Sequence, residues 1–350
     1  MCKSPLHSFL QLLPKCEHHM HLEGALSPAV LFTLAKRNNI QLPQDDDAYF
    51  SVDALNERYS RFTSLDDFLH YYYIGMSVLI TESDFYDLAT DYFSRASSQG
   101  VMHAEVFFDP QAHLSRGVSY TTILAGFTRA RKHAEKTLNL TSELICCFLR
   151  HLPPADCLST FQHPDVQASY KDGSVIGIGL DSSEADFPPH LFKEIYSQAS
   201  ALGLKRTAHA AEEGPASFAQ SALDDLHVTR IDHGMRVVED PALMARVANE
   251  KILLTLCPLS NKCLGGVEEI SELPVREYLR NGVRFSVNSD DPAYFGGYIL
   301  ENYCALQEAF ELSVSDWEVV VRNGIEGSWC DEKRKEEMRR KLAEVVGRFQ

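Results

Sequence analysis

The feature that most restricts the fold of this chain is a rhythm: eight short apolar or β-branched runs, each followed by a longer stretch carrying helical signals. The runs are Cys16 to His21, Val101 to Phe108, Leu144 to Leu149, Val175 to Leu180, Lys205 to Ala210, Val228 to Asp232, Ile252 to Cys257 and Arg284 to Asn288. Strand-length runs alternating with helices predict βαβ units, because parallel neighbours need a crossover that a helix supplies. The helical signals are local. Ser27-Pro28 reads as a cap with proline at the first helical position, Pro188 and Pro215 open amphipathic runs, and Gly282 ends PVREYLRN. Eight repeats of this unit, with no Gly-rich dinucleotide fingerprint, predict a closed (β/α)₈ barrel rather than an open doubly wound sheet. A length of 350 residues fits one such barrel spanning 1–350 with an insertion.

The insertion is expected at Gln41 to Ile80, which separates the first and second runs by more than one crossover needs. It reads as helices able to cover the barrel mouth, and of Tyr71, Tyr72 and Tyr73 at least two are expected only to pack it onto the barrel. The tail DEKRKEEMRRKLAEVV is expected to be a solvated charged helix. Hydrophobic residues at 45% and charged ones at 23% match a folded globular chain. The net charge of −16 opposes binding to nucleic acid or to an anionic membrane and suits a neutral or cationic small substrate. Nine cysteines without a CxxC pair read as buried thiols in a reducing compartment. The first residues are too briefly apolar for a signal peptide or membrane span, so the expected location is the cytoplasm.

Chemistry-bearing residues gather at one end of the runs. His19 and His21 close the first, Arg150 and His151 the third and Asp181 the fourth; His209 closes the fifth, His233 the sixth, and Asp290 with Asp291 follow the eighth. In a barrel these positions form the C-terminal rim, where active sites are built. His19 and His21 share one strand face and can grip one ion. HxH alone is a weak signal, but His209 and Asp290 complete a nitrogen-rich set suited to zinc. Asp181 could reach a second ion, though one metal is the simpler account. Other histidines, His7, His70, His113 and His163 among them, are assigned no role. Glu212 follows His209 by three residues, on a turn where a shielded carboxyl would have a raised pKa and could donate a proton. Glu213 reads as a helix N-terminal acid. His233 is placed to act on the attacking water as base or orienting group.

CEHHMHLEG, HAAEEGP, TRIDHG, CPLSN and SVNSDDPAYFGGY, in that order from residue 16 to residue 298, resemble the adenosine and adenine deaminase family, its fungal adenine deaminase branch in particular. The resemblance implies a (β/α)₈ barrel with one zinc held by His19, His21, His209 and Asp290. It implies that Glu212 protonates purine N1, that His233 serves the water, that Asp291 contacts N7 and that the Gly179 to Ser182 segment, with Asp181, lies near N3. Glu23 falls where adenosine deaminases place a shorter aspartate near the sugar; a longer side chain leaves less room for ribose and, with the GLDSSEADFPP stretch, favours free adenine, hydrolysed to hypoxanthine and ammonia. Two alternatives stay open at this point: adenosine or an N6-substituted purine as substrate, and a binding or regulatory protein that has lost catalysis. The family usually reads HAGEEGP, and Ala211 replaces that glycine. If the position has positive φ, alanine adds strain beside Glu212; otherwise it adds a methyl group. A nucleic-acid deaminase is excluded because PCxxC is missing after HLE.

Overall fold

The computed structural model describes residues 4–350 and contains eight parallel strands in sequential order: β1 (Lys15–Glu17), β2 (Val101–Phe108), β3 (Thr141–Leu149), β4 (Gly177–Asp181), β5 (Lys205–Ala210), β6 (Arg230–His233), β7 (Leu253–Leu256) and β8 (Arg284–Val287). Helices alternate with them on the outside, and a broad apolar core from Phe9 to Val346 fills the space between strands and helices. The interior of the barrel is different. Phe107, Ile145 and Cys147 make a small apolar plug, and beneath it Arg230 pairs with Glu105 and stacks over Trp329 at 3.8 Å.

The first strand is shorter than its apolar run, and the cause is a pair of side chains that replace ladder partners. Asn288 Oδ1 accepts from His18 N at 2.8 Å, and Glu17 Oε1 accepts from Ser289 N at 3.1 Å. Past this interruption the chain stays extended and closes the barrel. His21 N donates to Asp290 O at 3.0 Å, Asp290 N donates to His19 O at 3.1 Å, and Phe107 N donates to Met20 O at 2.9 Å. The seam between first and last strands is thus joined by the backbones of His19, His21 and Asp290.

Before β1 lies α1 (His7–Leu12), and between β1 and β2 come α2 (Pro28–Arg37), α3 (Val52–Tyr59), α4 (Leu65–Met76) and α5 (Glu82–Ser98). Ser51 and Ser64 cap α3 and α4 by accepting from Ala54 N and Asp67 N, so each insertion helix begins where a hydroxyl satisfies a free amide. After β2 come α6 (Pro110–Leu114) and α7 (Tyr120–Leu138). The charged tail differs from a wholly solvated helix. Glu332–Phe349 buries Met338, Leu342, Val345 and Val346, and Arg334 donates to Met102 O and Asn139 O. Its apolar stripe is spaced for one helix face, which the density of charge in the sequence obscures. Among the described residues no helix is long and apolar enough to cross a membrane.

Candidate active site and metal centre

Four residues that end or follow β4, β5, β6 and β8 are left-handed without being glycine: Ser182 (φ 74), Ala211 (φ 59), His233 (φ 59) and Asp290 (φ 62). Such backbone is uncommon for residues with a Cβ, and at strand ends it turns the chain sharply inward over the barrel. Ser182, His233 and Asp290 line one cavity, while Ala211 is buried at the turn that leads to Glu212.

His19, His21, His209 and Asp290 bring ligand-capable atoms within 4.8 Å of one another, all buried. His19 Nε2 lies 3.1 Å and His21 Nε2 3.6 Å from Asp290 Oδ1. His19 Nε2 is buried without a hydrogen-bond partner, an arrangement that normally costs free energy and that a cation removes. Supporting groups fix the rings. His19 Nδ1 meets Thr255 Oγ1 at 2.8 Å, Thr255 donates to Asp232 Oδ1 at 3.3 Å, and Asp232 Oδ2 lies 3.7 Å from His209 Nδ1. Phe107 supports His19 and His21 from below, each ring centroid 5.0 Å from its own. Burial and then the neighbouring imidazoles hold His209 well below the ordinary histidine range, so it is neutral and able to ligate. Burial works against the charge of Asp290, yet His19, His233 and His21 keep it ionised. A second grouping, His19, His233, Cys257 and Asp290, is equally compact. Its Cys257 remains a thiol, raised by burial and donating to Thr255 O at 3.5 Å, so the first set has the better donor chemistry.

Glu212 is buried beside this set, its Oε2 3.4 Å from His233 Nε2. Burial, then the charges of Asp290 and Glu184, raises its pKa well above the carboxylate range, so it holds a proton near neutrality. Glu184 positions the turn by accepting from Glu212 N at 3.3 Å and Gly214 N at 2.8 Å. Glu213 accepts from Ser183 Oγ and Glu184 N, tying the β4 and β5 loops together. His233 is lowered to about 3 by burial and by His19. Its Nδ1 is 3.2 Å from the Asn261 side-chain amide, which fixes the ring and leaves Nε2 facing Glu212 and Asp290.

A cavity opens above these groups. Its lining includes His21, His209, Glu212, His233, Asp290 and Asp291, with Asp181 and Ser182 from the end of β4. Two expectations shift. Gly179 is not among the residues that line the cavity, and the place where a Cβ would stand is filled by Cys147 Sγ at 2.5 Å, so glycine makes room in the barrel interior. Glu23 is one residue behind the wall, accepting from Asp109 N at 3.2 Å and His113 Nε2 at 2.9 Å. Arg150 is also spent within the fold, donating to His209 O at 2.8 Å and Phe187 O at 2.9 Å.

The insertion supplies the other wall through Leu65, Phe68, Tyr72 and Tyr73 of α4. Only Tyr71 of the three tyrosines is confined to packing, stacked on Tyr49 at 5.7 Å; Tyr72 and Tyr73 reach the cavity. Sequence reasoning also missed Asp109, Asp232, Thr255 and Asn261. Asp232 and Thr255 alternate onto the inner face of β6 and β7, a signal available once the strands are known. Asp109 holds the strand-end position too, directly after the second run, but an aspartate before Pro110 there reads as a helix start; His113, within the short helix that follows, had no such signal.

An eight-stranded barrel with a buried three-histidine, one-aspartate set at its C-terminal rim defines the metal-dependent hydrolase class, and the chain belongs to the adenosine deaminase family, whose model matches residues 14–345. Within that family it is 54% identical over 348 residues to the adenine deaminase of Aspergillus oryzae, covering 99% of each chain. The crystal structure of adenine deaminase from Arthrobacter aurescens superposes with a TM-score of 0.90 at 42% identity, over 96% of this chain and 99% of that one. An amidohydrolase from Burkholderia ambifaria with bound Zn superposes at 0.88 with 27% identity, over 99% of this chain and 96% of that one.

Proposed function

We propose that this chain is an adenine deaminase, hydrolysing adenine to hypoxanthine and ammonia with one zinc ion held by His19, His21, His209 and Asp290. The observation that carries the reading is a proton-holding Glu212 beside that ligand set at the wall of a cavity, on a chain similar over its full length to adenine deaminases. A zinc ion there would lower the pKa of water towards about 7 and so supply hydroxide at neutral pH. Glu212 gives its proton to N1 as electron density moves from the C6=N1 bond. His233, through Nε2, orients the attacking oxygen, and ionised Asp290 is the acceptor at hand for the water proton. As the C6–N bond breaks, that proton leaves with ammonia; the second water proton restores Glu212 while its oxygen remains on C6.

Asp291 and Asp181 with Ser182 are proposed contacts for N7 and N3. A nucleotide is disfavoured because Arg150 is fully buried, with Nε, Nη1 and Nη2 each donating to a backbone carbonyl, and does not line the cavity. We further propose that α3 and α4 act as a lid excluding bulk water. Steady-state ammonia release from adenine, adenosine and N6-methyladenine, with zinc analysis on the same sample, tests the reading; preference for the nucleoside would overturn the substrate. Glu212→Gln is expected to retain zinc and lose about 10²–10⁴-fold in kcat.

A further inference from the structure

We propose that Asp109 is a specificity-determining residue that selects the free base over the nucleoside by accepting a hydrogen bond from purine N9–H. The inference rests on the substrate reading above and deepens it. Asp109 immediately follows β2, is 1% exposed and lines the cavity. Its Oδ2 accepts from Tyr72 OH at 3.4 Å and the Asp181 carboxyl stands beside it, while Oδ1 is buried with no hydrogen-bond donor placed on it. A buried carboxylate oxygen left without a donor is costly, and an N–H brought by the cavity's occupant removes the cost.

The orientation of Asp109 is fixed from behind. Its N–H donates to Glu23 Oε1, Glu23 is held by His113 Nε2, and Arg116 Nη2 is 2.6 Å from His113 Nδ1. A guanidinium only donates, so His113 accepts at Nδ1 and carries its proton on Nε2, aimed at Glu23. The chain Arg116 to His113 to Glu23 thus holds the residue that holds Asp109.

Circular order supplies the second argument. The hydrogen-bonding ring atoms of a purine follow one another as N1, N3, N9 and N7. Around the barrel, Glu212 follows β5, Asp181 and Ser182 end β4, and Asp291 follows β8. With those groups at N1, N3 and N7, the end of β2 falls between β4 and β8 on the side away from β5. N9 is the one ring nitrogen left for it. Adenine presents a proton there, and a nucleoside presents a sugar against Asp109 and Tyr72.

The test is ammonia release by the zinc-loaded protein from adenine and from 9-methyladenine, which lacks the donor. The wild type is expected to favour adenine about 100-fold or more in kcat/KM. Asp109→Leu keeps the bulk and removes the acceptor; it is expected to lower adenine turnover about 100-fold and to change 9-methyladenine less than about 3-fold. Asp109→Asn, with one acceptor oxygen, is expected to fall between. Competitive inhibition of the wild type by hypoxanthine and 9-methylhypoxanthine reads the same contact without chemistry or mutation, and equal inhibition would overturn the proposal. So would an equal loss on both substrates in Asp109→Leu at unchanged zinc content. A second equivalent of metal lost in that variant would also overturn it, because His21, Asp109 and Asp181 would then be a cation site. No ammonia from adenine in the wild type sinks the substrate reading itself, whereas the other outcomes sink only Asp109.

Discussion

Ala211 decides between two readings of one substitution. Its φ of 59° is the left-handed region, so the strain that the sequence left open is present. The side chain is also fully buried. Relief of strain in Ala211→Gly is worth about 1–2 kcal/mol, and loss of a buried methyl costs about 0.8 kcal/mol, so the two nearly cancel. Thermal melting of Ala211→Gly is therefore expected within a few degrees of wild type, with activity within about 3-fold. Ala211→Val places a β-branched residue at positive φ beside Glu212 and is expected to lower both. His113 gives a pH prediction. Burial, and then Arg116, lowers its pKa from 6.5 to about 3, so the unfolded chain binds the extra proton first as pH falls. Its contribution is complete above pH 6.5 and is lost progressively between 6.5 and 3, on the order of 5 kcal/mol in all. His113→Gln should flatten the acid limb of urea-unfolding free energy against pH; an unchanged slope would contradict the neutral ring. The proposed metal set and Glu212 were legible because strand-end position is visible in sequence. Asp109 shares that position, but its meaning, like that of His113, comes from what Glu23 and Arg116 place beside it.

At the scale of elements, the strands were legible where apolar runs and ladders coincide, as in β2 and β5. They were not where side chains take over backbone partners, as Asn288 and Glu17 do beside β1. The insertion was legible as helices but not in its contacts, since a run of tyrosines does not say which face meets the barrel. With α4 forming one cavity wall, a purine inhibitor is expected to increase hydrogen-exchange protection of α3 and α4 more than that of the outer barrel helices. Equal protection with and without inhibitor would count against a lid. Phe68 packs against Phe295 at 4.8 Å and Tyr294 at 5.3 Å. Phe68→Ala is expected to raise KM for adenine about 10-fold with a smaller effect on kcat, because it loosens the wall and spares the reacting groups.

For the whole molecule, the seam is where chemistry and architecture coincide. Removal of zinc with a chelator is expected to lower Tm by on the order of 5–10 °C, since a ligand bound only by the folded state stabilises it by mass action. Exchange should rise first across Lys15–His21 and Arg284–Asp290. Equal loosening of all strands would argue that the ion does not join the ends.

The same closure has a consequence for how the chain is made. His19 and His21 leave the ribosome early, yet their bridging partner Asp290 arrives only after every other strand has been synthesised. A product truncated before β8 retains three histidines but neither the carboxylate nor the backbone that locks them. On the proposed ligand set, the full coordination shell would therefore form only once β8 is in place, after every other strand.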